Sequence, residues 1–323
     1  MTTHSTQFPT ASADAITGPI LVVGANGKTG HRVAQRLADR GVDVRAASRS
    51  SQWRFDWTDR STWWPAIDGA HAAYVTYQPD LIVPGAVEDI TEFVRLAERA
   101  GLKRVVLLAG RGEAEADEAG RVVHAGDVES TVLSCSWFDQ NFDEGEFAAE
   151  LAEGSLTLPS AEVGEPFIDT DDIADVAVAA LLESEPADAV NPAASNPVAS
   201  NPVASNPTAS NPAAALVNPH AGTTYELTGP RLLTFADAVA EIGAAQGREI
   251  AFTQVSPEKY RAIMGEVGVP GEVIDLVLTL FATVFDGRNA SVTDDVQRVL
   301  GRPARDFTDY AASVAAGTRS VTR

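Results

Sequence analysis

The apolar run Pro19-Ile20-Leu21-Val22-Val23 breaks into Gly24-Ala25-Asn26-Gly27-Lys28-Thr29-Gly30, and a helical pattern follows from His31 to Arg40. A strand that ends in three glycines and then a helix presents a helix N-terminus to a pyrophosphate. Gly24 permits the sharp turn out of the strand, Gly27 lets the backbone approach the phosphates, and Gly30 lets the helix sit close on the sheet. The unpaired N–H groups of that first turn, with the helix dipole behind them, attract the anion. Glycines in a turn are often only structural. Here the strand before them and the helix after them point to a nucleotide.

The 323 residues suffice for one large α/β domain or two moderate ones, either with a full core. Lys and Arg number 24 against 45 Asp and Glu, a net charge of −21. Such an excess argues against a nucleic-acid backbone or an anionic membrane surface as partner. It reads as a solubilising surface. The lone cysteine, Cys135, has no internal disulfide partner, and no Cys or His cluster has metal-ligand spacing, so no metal is expected. Met1 to Thr17 are polar and small, without the charged and apolar parts of a secretion signal, and no later segment approaches a membrane span. The expected location is the cytoplasm.

Apolar strands alternate with helical patterns through the first half. Val42 to Ala47, Ala72 to Tyr77, Lys103 to Ala109 and Ser130 to Cys135 read as strands, with a helix from Val87 to Ala100. Such alternation predicts a parallel sheet covered by helices on both faces, with the ligand crevice beyond the carboxyl ends of the strands. Asn-Pro then recurs at 191, 196, 201, 206 and 211. A proline in every unit removes a ladder donor, and no large apolar residue fills a core, so a surface insertion is expected rather than a β-helix. Order returns with a strand at Thr223 to Leu227 and a helix capped by Thr234. Helical patterns follow from Pro257, Gly271 and Thr293. The expected division is a tail over 1–18, a dinucleotide-binding core over 19–136 and a substrate-side lobe over 137–323. The lobe carries a disordered insertion at about 186–220.

The second strand ends in Ala46-Ala47-Ser48-Arg49-Ser50, with no acid to accept from a ribose hydroxyl. Arg49 can instead pair with a 2′-phosphate, which Ser48 or Ser50 can also bond. This favours NADPH, with NADH as the second choice. Further on, Asp56 either accepts from the adenine amino group, with Trp57 over the ring, or caps the helix beginning near Arg60. Thr76, Tyr77 and Gln78 should flank the cofactor's ribose. A Tyr-x-x-x-Lys pair cannot be built, because no tyrosine has a lysine four positions on. A reductase here works without that acid. Acceptors that take hydride readily, such as quinones, azo compounds and iminium ions, suit it.

Set in order, these residues resemble the NmrA-like branch of atypical short-chain dehydrogenases. The likeness is to the group of ergot-alkaloid (agroclavine and festuclavine) dehydrogenases and NAD(P)H:quinone oxidoreductases. The G-x-x-G-x-x-G spacing carries it, with Arg45 to Ser50, Phe55-Asp56-Trp57, Trp137 to Phe142, Asp171 to Val176, Tyr225 to Pro230 and Asp286-Gly287-Arg288-Asn289. The resemblance implies an α/β fold: a Rossmann-type doubly wound parallel sheet with a helix-rich C-terminal substrate lobe. It implies that Gly24, Ala25, Asn26, Gly27, Lys28, Thr29 and Gly30 hold the pyrophosphate and Arg49 the 2′-phosphate. Ser136 to Asn141 would run beside the nicotinamide, with Trp137 and Phe138 as walls. The Asn141 amide would bond the carboxamide or the substrate, which makes Trp137 and Asn141 the expected catalytic pair. The expected function is reduction of a small organic acceptor by a monomer or homodimer. The alternative is a non-catalytic NAD(P)-sensing regulator of the NmrA type.

Overall fold

The computed structural model describes residues 16–145, 147–159, 162–186 and 216–317. Its strands are β1 (Ile20–Val23), β2 (Val44–Ser48), β3 (Trp53–Arg54), β4 (Ala72–Val75), β5 (Arg104–Gly110), β6 (Glu129–Cys135), β7 (Ser155–Leu158), β8 (Glu185–Pro186), β9 (Leu216–Val217), β10 (Thr223–Leu227) and β11 (Ala251–Gln254). The helices are α1 (Gly30–Asp39), α2 (Trp63–Ile67), α3 (Ala86–Ala100), α4 (Ala114–Ala125), α5 (Phe147–Glu153), α6 (Thr170–Leu182), α7 (Phe235–Gln246), α8 (Pro257–Glu266), α9 (Gly271–Val284), α10 (Asp295–Leu300) and α11 (Phe307–Ala315).

Seven strands form one sheet in the order β10-β6-β5-β4-β1-β2-β3, every pair parallel. The chain runs outward from β1 to β2 and β3, then returns to place β4 on the other side of β1. That reversal opens a crevice at the carboxyl ends of the strands, where a ligand belongs. β1 and β4 are buried at every residue, as strands covered on both faces must be.

Alternate side chains feed two cores. Leu21, Val23, Ala73, Val75 and Leu107 pack against α2, α3 and α4, with Trp63 and Phe93 among their neighbours. Ile20, Val22, Ala72, Tyr74 and Val106 pack against α1, α6 and α10. The sheet is therefore doubly wound, as expected. Arg36 of α1 binds Asp171 and Asp175 of α6 at 2.8 and 2.6 Å, which locks the helix behind the glycines in place. A third core of Phe142, Phe147, Phe235, Phe281, Phe285 and Phe307 holds the C-terminal lobe.

Thr234 caps α7 as predicted, in a reciprocal bond with Asp237. Two readings change. Helix α11 is an addition to the expected elements: Phe307, Tyr310 and Ala311 recur at helical spacing and are buried. The cap before Arg60 is Asp59, not Asp56, because the 3-10 turn Arg60–Thr62 starts directly after it. The repeat at 191–211 lies outside the described residues. The last part of the expected insertion, 216–220, is ordered: β9 pairs with β8, and Asn218 and His220 are buried. Among the described residues no helix is long and apolar enough to cross a membrane.

Candidate active site

Gly24 has a φ of 76°, and a Cβ there would stand 2.1 Å from Thr76 Oγ1. A Cβ on Gly30 would stand 2.2 Å from the Gly24 carbonyl oxygen. The first position demands glycine by conformation and by space, the second by space alone. Gly27 N–H closes the turn on Gly24 O at 2.8 Å, while Gly24 and Ala25 both donate to Ala47 O. Among the described residues, the amides of Asn26, Thr29 and Gly30 make no main-chain hydrogen bond, and no side chain caps α1. Free donors at a helix N-terminus, on a turn that its glycines keep tight, fit the oxygens of a dinucleotide pyrophosphate.

The Asn26 amide donates to Ser48 Oγ at 3.0 Å and so ties the glycine loop to the end of β2. Arg49 stands exposed immediately beyond. The Asp56 carboxylate accepts from the Thr58 hydroxyl at 2.8 Å and from its N–H at 3.0 Å, and these bonds hold the acid below its ordinary range. Trp57, read as a cover for the adenine ring, packs into the core under the β4 turn. It is only 8% exposed and packs on Phe55, Trp63, Tyr77 and Phe93, with its Nε1 donating to Thr76 O at 3.0 Å. Burial among four aromatic rings holds it under the β4 turn instead.

Thr76 Oγ1 donates to Val23 O at 3.1 Å and fills the space beside Gly24. The Tyr77 hydroxyl donates to Asp89 Oδ2 at 2.9 Å, whereas Gln78 is exposed. Tyr77 also lines a cavity of about 820 Å³ over the ends of β4, β5 and β6, roofed by α8 and α9. Ala109, Gly110, Ser136, Trp137 and Phe138 line its strand side, and Ile263, Met264, Ile274, Val277 and Phe281 its helix side. The lining is mainly apolar with a few convergent polar groups, the usual make-up of a small-molecule site.

Trp137 fixes that cavity to the lobe: its ring lies 5.3 Å from Phe281, 5.4 Å from Phe285 and 6.0 Å from Phe235, centroid to centroid. Its main-chain N–H donates to Glu165 Oε1 at 3.1 Å. Glu165 is 2% exposed and lines the same cavity. Burial raises its carboxyl to about 7, against the pull of the Trp137 N–H and the Arg111 charge. Asn141 closes a 3-10 turn, Asp139–Asn141, and its side-chain oxygen accepts from Lys28 Nζ at 2.7 Å. With that oxygen already accepting one bond, the Asn141 NH₂ group is the donor left for the expected bond to a ligand. The lysine of the glycine loop thus reaches the strip beside the cavity.

Three side chains of this site escaped the sequence reading. Glu165 and Glu113 carry no motif. Arg111 bonds Glu226, Asn289 O and Ser291 O at 2.8 to 3.0 Å, and Asn289 Nδ2 returns a bond to Arg111 O. This explains the Asp286-Gly287-Arg288-Asn289 motif: it fastens the lobe to the end of β5. His124 bridges Ser130 and Thr224 at 2.8 and 2.9 Å, a packing role between β6 and β10.

No protein-family model matches the chain. The chain is 30% identical over 313 residues to the uncharacterized oxidoreductase YesF of Bacillus subtilis, covering 92% of this chain and 96% of that protein. It is 26% identical over 326 residues to the NAD(P)H azoreductase of Xenophilus azovorans, covering 92% and 98%. The NADPH complex of the quinone oxidoreductase QOR2 from Escherichia coli shares the fold, with a TM-score of 0.66 at 17% identity over 91% of this chain and 99% of that one.

Proposed function

Because this chain belongs to the NmrA-like family of atypical short-chain dehydrogenases and is an NAD(P)H-dependent oxidoreductase, we propose that it uses NADPH to reduce a small, electron-poor organic acceptor. The acceptor class is quinone, azo or cyclic iminium. One observation carries the reading: the glycine cradle and the apolar cavity share one sheet edge and are joined by the Lys28–Asn141 bond.

In this reading Gly24 to Gly30 hold the pyrophosphate on main-chain donors. Arg49 takes the 2′-phosphate, for which its planar fork is matched. Thr76 to Gln78 border the ribose, and Ser136 to Asn141 border the nicotinamide. When bound, the reduced nicotinamide supplies a hydride. Trp137 and Phe138 exclude water and orient the acceptor, and the Asn141 NH₂ group fixes orientation through a hydrogen bond. Positioning of this kind accounts for much of the barrier reduction when the acceptor is already electrophilic.

The test is NADPH oxidation, followed by absorbance, against a panel of quinones, azo dyes and cyclic iminium ions. Turnover with at least one class is expected. NADPH binding without turnover on any of them would leave the dinucleotide-sensing regulator instead.

A further inference from the structure

The end of β5 offers no side-chain acid of its own, since positions 109 and 110 are alanine and glycine. The space over Gly110 is filled from three residues on. A Cβ at Gly110 would stand 2.1 Å from Glu113 Oε1 and 2.6 Å from Oε2, so the carboxyl lies against the last residue of the strand. Glu113 is 6% exposed and lines the cavity, as does Asp80 from the loop after β4. The two carboxyls lie near enough that each acts on the other's proton. Glu113 Oε2 is buried with no hydrogen-bond partner. Carboxyls that meet in a poorly solvated site cannot both ionise, and a proton stays between them.

We propose that Glu113, backed by Asp80, is the proton donor of this cavity, and that it suits the site to neutral acceptors, quinones or azo compounds, over cationic ones. The proposal rests on the reductase reading above. A neutral acceptor that gains hydride carries its new charge on oxygen or nitrogen. The Glu113 O–H bond breaks, its electron pair stays on the carboxylate, and the proton forms a new O–H or N–H bond on that atom. The two electrons come as hydride from the reduced dinucleotide, which is oxidised. Asp80, the more exposed of the pair, returns a proton from water. An iminium ion becomes neutral on gaining hydride and takes no proton.

The surrounding charges agree. Burial and the Asp80 charge raise Glu113 far above the ordinary carboxylate range, and Glu115 and Asp117 on its own helix add to this. Arg111 turns its guanidinium to Glu226, Asn289 and Ser291, and Arg288 is held by Asp286 while reaching Gly112 O at 3.2 Å. Lys28 is bonded to Asn141, Glu165 to the Trp137 N–H, and Tyr77 to Asp89.

The experiment compares wild type, Glu113→Gln and Asp80→Asn with a benzoquinone and a cyclic iminium ion, and records the infrared band of protonated carboxyls without ligand. Glu113→Gln should remove a band present at neutral pH. It should also cut kcat with the quinone roughly tenfold more than with the iminium ion, a modest share of a general acid's usual effect. Wild-type quinone turnover should fall at alkaline pH, and Asp80→Asn should move that limb to lower pH. An unchanged band, or equal losses with both acceptors, overturns the role of Glu113. If Glu113→Gln does not fold, an unmoved alkaline limb in Asp80→Asn overturns it. A wild type that oxidises NADPH with neither acceptor overturns the reductase reading itself, and this proposal with it.

Discussion

The glycine loop and the cavity beside it sit on one sheet edge and are made by opposite means. The loop is seven consecutive residues that offer main-chain donors, and Gly24 and Gly30 are fixed by a 76° φ and by 2.1 and 2.2 Å approaches. The cavity draws on side chains from Lys28 to Asn289, brought together by the sheet and the lobe. Changes to the loop should therefore act on cofactor affinity, and changes to the cavity on turnover and stability.

The largest effect is expected at Glu165. Its folded-state carboxyl, raised to about 7 by burial, favours the proton that the unfolded chain loses near its ordinary value. The stability this contributes is complete below the unfolded pKa and is lost as pH rises toward about 7. The difference integrates to about 3 kcal/mol. Denaturation midpoints across that window should fall in wild type relative to Glu165→Gln. Parallel curves would show that the cavity does not desolvate this acid.

Next is Gly30→Ala, whose Cβ would meet Gly24 O at 2.2 Å and force the turn open. NADPH affinity should drop about a hundredfold, near 2.7 kcal/mol, with the fold retained by circular dichroism. Unchanged affinity would break the claim that main chain makes the cradle. A smaller contrast comes from the Lys28–Asn141 bond, which crosses between the two regions. Asn141→Ala should lower kcat by an order of magnitude or more, since loss of orientation is costly, with NADPH affinity nearly kept. Lys28→Ala should lower both. Identical behaviour of the two variants would dissolve the division.

What the sequence revealed follows the same line. The strand–glycine–helix unit, the missing acid at the end of β2 and the Thr234 cap are local patterns, and the structure builds each of them from near neighbours. Asp56 and Asp59 illustrate the limit of local reading: both are good caps, and only the true start of the turn at Arg60 selects Asp59. Glu113, Glu165 and the bond of Lys28 to Asn141 were not legible. Their partners are set by strand order and by how the lobe docks, not by spacing. Lys28 and Asn141 are 113 residues apart. An aromatic at a strand end, such as Trp57, suits a ligand face and a core equally. The buried Phe55, Trp63 and Phe93 around it decided for the core.

The smallest expected effect bears most directly on the central claim, that this sheet edge is an NADPH site. Calorimetric titration of NADPH and NADH should show NADPH at least about tenfold tighter, about 1.4 kcal/mol, as a guanidinium pairing with the 2′-phosphate readily supplies. Arg49→Ala should erase that preference and leave NADH binding unchanged. Equal affinity of the two cofactors in wild type, or binding of neither, would contradict it.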